Sequence, residues 1–314
     1  MLVEYLRDEK SEAKKILFTG LDDAGKTSII LALQREFSKI ANIEPTRGAQ
    51  RRIFEFLGKS ISEWDLGGQE TYRISYLKNP DKYFAETEVA IYVVDVQNRQ
   101  RVQESLSYLN DVIAQFKKLE ITPPIFIFFH KYDPALTRNV YQEFDKVVLH
   151  FREKVLSNVD YNISAFYKTS IYNLSTVISA MSEILLTLYP KANLIQQTIS
   201  EFGEKSDVEG IEIIDQNAFI VGWYYKNEKI KDMLVSSTPY FLSLNTSFGY
   251  LDSREEKGED KMILQRYGKY FIFTKFSLNE EAVPYYILVS KDNPEIDTED
   301  FKALINILCE ILYK

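Results

Sequence analysis

One segment, Gly20-Leu21-Asp22-Asp23-Ala24-Gly25-Lys26-Thr27, constrains this chain more than any other. It fits the pattern G-x-x-x-x-G-K-[S/T]. The residues before it, KKILFTG (14–20), read as a buried strand, and TSIILALQREFSKI (27–40) reads as the helix that follows. A strand that turns through glycines into a helix gathers backbone N–H groups and a helix N-terminus at one point. That arrangement suits phosphate oxygens. Gly20 and Gly25 permit the tight path, and Lys26 balances phosphate charge. Thr27 offers a hydroxyl to Mg²⁺. Asp22, Asp23, Ala24 and Ser28 complete the candidate phosphate-binding set, although two carboxylates beside phosphates are unexpected.

The rest of the first half alternates strand and helix. RRIFEFLG (51–58) and SISEWDL (60–66) form a plausible hairpin. VAIYVVDV (89–96), PPIFIFFHKYD (123–133) and ISAFYKTS (163–170) read as buried strands. Residues 103–119, 140–157 and 174–189 have helical spacing. This alternation predicts a mostly parallel sheet with helices on both faces. The rhythm changes near Pro190. Helix 192–205, strands 210–216 and 218–225, helix 227–237 interrupted by Pro239, strands 261–268, 269–277 and 283–291, and helix 298–313 predict an α+β unit with a five-stranded antiparallel sheet. Thr298 is a candidate N-cap for the last helix. The expected domains are therefore 1–190 and 191–314.

Three further segments carry chemistry. In Trp64-Asp65-Leu66-Gly67-Gly68-Gln69-Glu70, Asp65 can hold Mg²⁺ through water, Gly68 can offer its N–H to a γ-phosphate, and Gln69 can orient an attacking water. In His130-Lys131-Tyr132-Asp133, the Asp133 carboxylate can accept the paired N–H groups of a guanine edge, and the Lys131 stem can cover the purine. His130 takes a place usually held by Asn. In Thr169-Ser170-Ile171, Ser170 and the backbone N–H of Ile171 can complete a base site.

These segments resemble a Ras-superfamily small GTPase. GLDDAGKTS, EPTRG and WDLGGQE are close to the Arf-type versions. HKYD, KTSIYN, the long insert YLKNPDKYFAETEVAIYVVDV and the extra C-terminal half look like the Rag/Gtr family. The resemblance implies a P-loop GTPase domain followed by a roadblock/longin-like domain. It also implies GTP/GDP and Mg²⁺ as ligands, with Thr46 of EPTRG joining Thr27 and Asp65 at the metal and Gln69 as the catalytic glutamine. Arg47 is unexpected after Thr46, and no arginine stands out as a built-in finger. The partners implied are a second copy or a related GTPase through 191–314, activating and exchange proteins, and roadblock/longin-type scaffolds. Two rival readings are a constitutively nucleotide-bound scaffold and an Arf-like membrane-recruitment GTPase. Thr46 and Gln69 weigh against the first.

Composition narrows the rest. One Cys and two His leave no thiolate or histidine metal cluster. The net charge of −8 divides as −1 over 1–190 and −7 over 191–314, which argues against nucleic acid as a partner. No apolar run reaches the roughly 20 residues that span a bilayer. Leu2 stands where myristoylation needs glycine, and CEILYK is not a prenylation box. The expectation is a cytoplasmic protein that reaches membranes, if at all, through partners. His150 is expected in solvent and Cys309 in packing. The last helix, with Phe301, Leu304, Ile305, Ile307, Leu308, Ile311 and Leu312, carries more apolar surface than one stripe requires, and is expected to help form a dimer.

Overall fold

The computed structural model describes residues 13–134, 137–249, 261–278, 282–295 and 298–313. The charged start of the chain and the Thr298 side chain lie outside what is described. The described residues form two compact units. One holds those of Met1–Thr27, Ile43–Tyr132 and Leu136–Lys168. The other holds those of Ser28–Asn42, Asp133–Ala135 and Thr169–Lys314.

The first unit is built on a six-stranded sheet. Its strands are β1 (Lys14–Gly20), β2 (Ala49–Phe56), β3 (Lys59–Leu66), β4 (Thr87–Asp95), β5 (Ile125–His130) and β6 (Ile163–Lys168), in the order β2-β3-β1-β4-β5-β6. All neighbours are parallel except the β2–β3 hairpin. That hairpin closes through Leu57 (φ 49°) and Gly58 (φ 71°), two left-handed residues whose turn matches strand twist. β5, and β1 after Lys14 and Lys15, are mostly apolar without alternation because both faces are buried. Helices α3 (Glu70–Lys78), α5 (Val102–Lys118) and α6 (Arg138–Asn158) pack around Tyr92, Leu109, Phe116, Phe129 and Phe151. The insert forms short α4 (Pro80–Tyr83), and buried Lys15 donates to the carbonyls of Tyr83 and Ala85 at 2.8 Å each.

The predicted helix 27–40 is broken. α1 spans Lys26–Leu33 and α2 spans Phe37–Ile40. Between them Arg35 takes φ 59°, and Glu36 N–H reaches back to Leu31 O at 2.9 Å. This is the six-to-one closure that ends helices, here without glycine.

The second unit carries a five-stranded antiparallel sheet of β7 (Gly210–Ile214), β8 (Ile220–Tyr225), β9 (Lys261–Arg266), β10 (Lys269–Phe276) and β11 (Tyr285–Lys291), ordered β8-β7-β11-β10-β9. Its helices are α7 (Leu174–Thr187), α8 (Ala192–Lys205), α9 (Glu228–Gly249) and α10 (Thr298–Tyr313). Ile199 of α8 lies against Gly222, and Leu234 of α9 lies against Gly210. Gly210 pairs with Tyr225 and Glu212 with Trp223. Side chains alternate along a strand, so α8 and α9 take opposite faces. Ser182 on α7 accepts the N–H of Ile220 at 2.9 Å, joining α7 to β8. Glu212 is wholly buried and accepts from the hydroxyls of Tyr225 (2.7 Å) and Thr238. Burial pushes its pKa up to about 7.

Two expectations change here. Pro239 does not interrupt its helix but lies inside the 22-residue α9. An interior proline costs about 3 kcal/mol. Buried Leu234, Phe241 and Leu242 on either side anchor the helix by packing, which outweighs that local cost. The surplus apolar surface of α10 is largely absent. Phe301, Leu304, Leu308, Cys309, Ile311 and Leu312 are buried, and only Ile307 among the expected apolar set stands well exposed, at 49%. His150 is exposed and Cys309 is buried, as the sequence suggested.

Candidate nucleotide site

The loop after β1 is held by its own lysine. Lys26, 5% exposed, donates to Gly20 O (3.1 Å) and Leu21 O (2.7 Å). Burial pulls its pKa down to about 8 against the attraction of Asp65 and Asp22. The two loop glycines are required by contact as well as conformation. Gly20 (φ 139°) faces Val93 O, where a Cβ would come within 2.4 Å. Gly25 (φ 92°) faces the ring of His130, where a Cβ would come within 2.5 Å. His130 therefore backs the loop from β5. Burial, with the neighbouring Lys131 charge, holds its pKa near 3, so the ring is neutral.

Three oxygen-bearing side chains meet beside the loop. Thr27 Oγ1 donates to Asp65 Oδ2 at 2.5 Å, lies 2.7 Å from Thr46 Oγ1, and Thr46 Oγ1 is 3.4 Å from the same carboxylate oxygen. Asp65 is 3% exposed, and its Oδ1 is buried without a hydrogen-bond partner. A hard oxygen set with an orphaned carboxylate oxygen fits Mg²⁺, which takes a few protein oxygens and completes its shell with phosphate and water. No group of three or more His, Cys, Asp or Glu with metal-binding geometry occurs among the described residues, so this is not an all-carboxylate cage.

Gly68 sits directly on the loop. A Cβ there would come within 2.1 Å of Asp22 N and 2.2 Å of Leu21 C. Gln69 follows as the N-cap of α3, and its side chain makes no capping bond. Lys131, at φ 62°, pairs with Asp95 Oδ2 at 2.8 Å, and Gln97 holds the Lys131 carbonyl at 2.8 Å. In the second unit, Ser170 Oγ donates to Asp133 Oδ1 at 2.6 Å and accepts the N–H of Tyr172 at 3.1 Å. Ser28 and Ile171 are half-buried. Asp23 (φ 57°) and Arg47 are exposed.

Four charged residues missing from the sequence reading complete the picture. Arg101, just before α5, donates to Asp22 Oδ1 at 2.8 Å. Glu104 holds both Arg101 and Arg73 of α3. Asp95 anchors Lys131. Arg101 lies 79 residues from Asp22, and local pattern gives no hint of a pairing at that distance. The one available signal was Asp22 itself, a carboxylate that needed a counter-charge.

A parallel sheet whose first strand delivers G-x-x-x-x-G-K-T, with D-x-G-G-Q at the end of its neighbour, defines a small GTPase of the Ras superfamily. Residues 15–238 match the Gtr1/RagA G protein conserved region, and the chain belongs to that family of GTP-binding proteins. Arf-like relatives are similar over a shorter stretch. ADP-ribosylation factor-like protein 3 of Chlamydomonas reinhardtii is 36% identical over 132 residues, 42% of this chain and 70% of that protein. ADP-ribosylation factor-like protein alp41 of Schizosaccharomyces pombe is 37% identical over 120 residues, 38% of this chain and 61% of that protein. Among solved structures, the Arl6 BBS3 small GTPase from Trypanosoma brucei with bound GppNp is 21% identical with a TM-score of 0.41, covering 55% of this chain and 95% of that one.

Proposed function

We propose that this chain is a GTP-dependent molecular switch that hydrolyses GTP to GDP and phosphate. The convergence of Thr27, Thr46 and Asp65 on one point carries the reading, because a loop that only bound nucleotide would not need Thr46 there. Thr27 and Thr46 would hold Mg²⁺ directly, with Asp65 behind them. The metal, when bound, offsets phosphate charge. Lys26 and the loop N–H groups hold the phosphates. Asp133, fixed by Ser170, selects guanine over adenine. Gln69 orients the water whose oxygen bonds to the γ-phosphorus as the bond to the β-phosphate oxygen breaks, and the water proton leaves with the phosphate. The segments around Thr46 and Gly68 would then relax, which activating, exchange and effector proteins could read.

Gln69→Leu should still bind GTP and release phosphate at least tenfold more slowly in single turnover, since water positioning is lost. Release at the wild-type rate would remove Gln69 from this role.

Residues 1–190 would respond to nucleotide while 191–314 pairs with a second copy or a related GTPase, on which roadblock/longin-type scaffolds could act. What favours pairing is the β9 edge rather than α10. β9 has no neighbour on its outer edge among the described residues and leaves Ile263 (49% exposed) and Leu264 (43%) there, and α9, stacked over β10 through Phe241 and Phe273 at 5.5 Å, exposes Tyr240, Leu244 and Phe248. An apolar edge of this kind needs a cover. The full chain should sediment as a dimer at micromolar concentration, and Ile263→Asp with Leu264→Asp should give a monomer. A wild-type monomer would leave only a related chain as partner. A mutant that stays dimeric would place the interface elsewhere. Among the described residues no helix is long and apolar enough to cross a membrane.

A further inference from the structure

The P-loop of this chain contains a carboxylate that ought to repel its ligand, and the structure shows what restrains it. Asp22 Oδ1 accepts from Arg101 Nη2 at 2.8 Å, and Arg101 Nη1 lies 3.4 Å from Asp22 O. The same guanidinium is gripped from its other edge by Glu104, through Nε to Oε2 at 2.8 Å and Nη2 to Oε1 at 3.0 Å. Glu104 Oε1 also takes Arg73 Nη2 at 2.5 Å. Arg73 lies over the ring of Tyr108 at 5.0 Å, and its Nε is buried without a hydrogen-bond partner. Tyr108 in turn receives the hydroxyl of Thr19, in the strand that leads into the loop, at 3.3 Å. Two carboxylates and two guanidinia thus alternate from the loop to α3, the helix that starts after Gln69. The chain of charges is neutral as a whole.

Burial raises the pKa of Asp22, but the hydrogen bond and charge of Arg101 outweigh it and hold the carboxyl below its usual range, with Arg73 adding to the pull. The Arg101 pKa is raised in turn, first by its bond to Glu104 and then by its bond to Asp22. Asp22 belongs to the same loop as Lys26, and its carboxylate helps to hold the charge of that lysine.

We propose that Arg101, held in place by Glu104, is a positioning residue that draws Asp22 away from the phosphates and so sets the preference of this loop for triphosphate over diphosphate. The inference rests on the reading of the loop as a guanine-nucleotide site. Without Arg101 the Asp22 carboxylate regains its rotamers and its full charge. A terminal phosphate adds the charge it would repel most, so GTP loses more affinity than GDP. At mid-range separation and high effective dielectric, that difference corresponds to roughly fivefold.

The test is displacement of a fluorescent guanine nucleotide from the full chain by GTP and by GDP, with Mg²⁺ present. Arg101→Ala should lower the GTP/GDP affinity ratio about fivefold. Adding Asp22→Ala to it should restore the ratio, because the repelling charge is gone. Arg101→Lys, which keeps the charge but loses the fork, should fall between. A loss through misfolding would lower both affinities together and would not be rescued by removing Asp22. A ratio unmoved in Arg101→Ala, or one that Asp22→Ala fails to restore, overturns the proposal while leaving the nucleotide site intact. A wild-type chain that binds neither nucleotide overturns the site reading itself, and this proposal with it.

Discussion

The contact between Gly68 and the P-loop makes Gly68→Ala a quantitative test. An added Cβ would lie 2.1 Å from Asp22 N, 2.2 Å from Leu21 C and 2.4 Å from Leu21 O. Ordinary contact begins near 3.4 Å, so the two backbones must separate by about 1.3 Å. Every atom struck belongs to backbone, so no side chain can swing aside. The loop is the stiffer partner, because Lys26 ties down Gly20 O and Leu21 O. The segment carrying Gly68 is therefore the one that withdraws, and its N–H moves away from the loop. Overpacking of this kind costs about 1–3 kcal/mol. If GTP binding draws Gly68 to the loop and GDP binding does not, that cost falls on GTP alone. The GTP/GDP affinity ratio should drop by between about fivefold and 150-fold. Calorimetric titration with each nucleotide measures it. Gly58→Ala is the control, since Gly58 has φ 71° but nothing within 4 Å of the new Cβ. It should reduce thermal stability a little and leave the ratio alone. A Gly68→Ala protein with the wild-type ratio would refute the idea that this glycine meets the loop when triphosphate is bound.

Two other outcomes follow from the site and from the buried carboxylate of β7. Asp133→Asn should shift the preference from guanine toward xanthine nucleotides, because xanthine offers an acceptor where guanine has a donor; equal binding of GTP and ATP by the wild type would undo the assignment of Asp133. Glu212 has a folded pKa near 7 against an ordinary value of 4.5, so its contribution to stability is fully present below about pH 4.5 and is lost as pH rises toward 7. The loss is at most about 3 kcal/mol. Glu212→Gln, which keeps acceptor capacity for Tyr225 and Thr238, should flatten the fall in melting temperature across that range, and an unchanged slope would mean the carboxyl titrates normally. Asp215, also raised to about 7 by burial, should leave a residual slope in the variant.

Local chemistry made much of this protein legible before its structure. The β2–β3 hairpin and the loop from Gly20 to Thr27 follow from residues close together in sequence, although the turn falls at Leu57–Gly58. So does the order of elements in the C-terminal half. Backbone conformation and tertiary packing behaved differently. The break after Leu33 depends on Arg35 accepting a left-handed conformation, which the helix-forming sequence around it conceals. Pro239 looked like a stop because its local cost is visible in sequence, whereas the packing of Phe241 and Leu242 that outweighs it is not. The surplus on α10 vanished because the apolar residues beyond one stripe also found burial. The pairing of Arg101 with Asp22 depends on the sheet order that brings β4 beside β1.

The hydrogen bond from Ile220 to Ser182 bears on how such proteins can be recombined. Gene fusion between relatives would naturally cut at Pro190, where composition changes. That junction would sever α7 from β8 and leave the Ile220 N–H, buried in the strand, facing whatever residue the donor supplies at position 182. The stretch from Thr169 onward, including Ser170 and α7, belongs to the same compact unit as the antiparallel sheet. A chimera joined between Lys168 and Thr169 instead takes Ser182 and Ile220 from one parent, and the contact that then has to match across the join is Ser170 with Asp133.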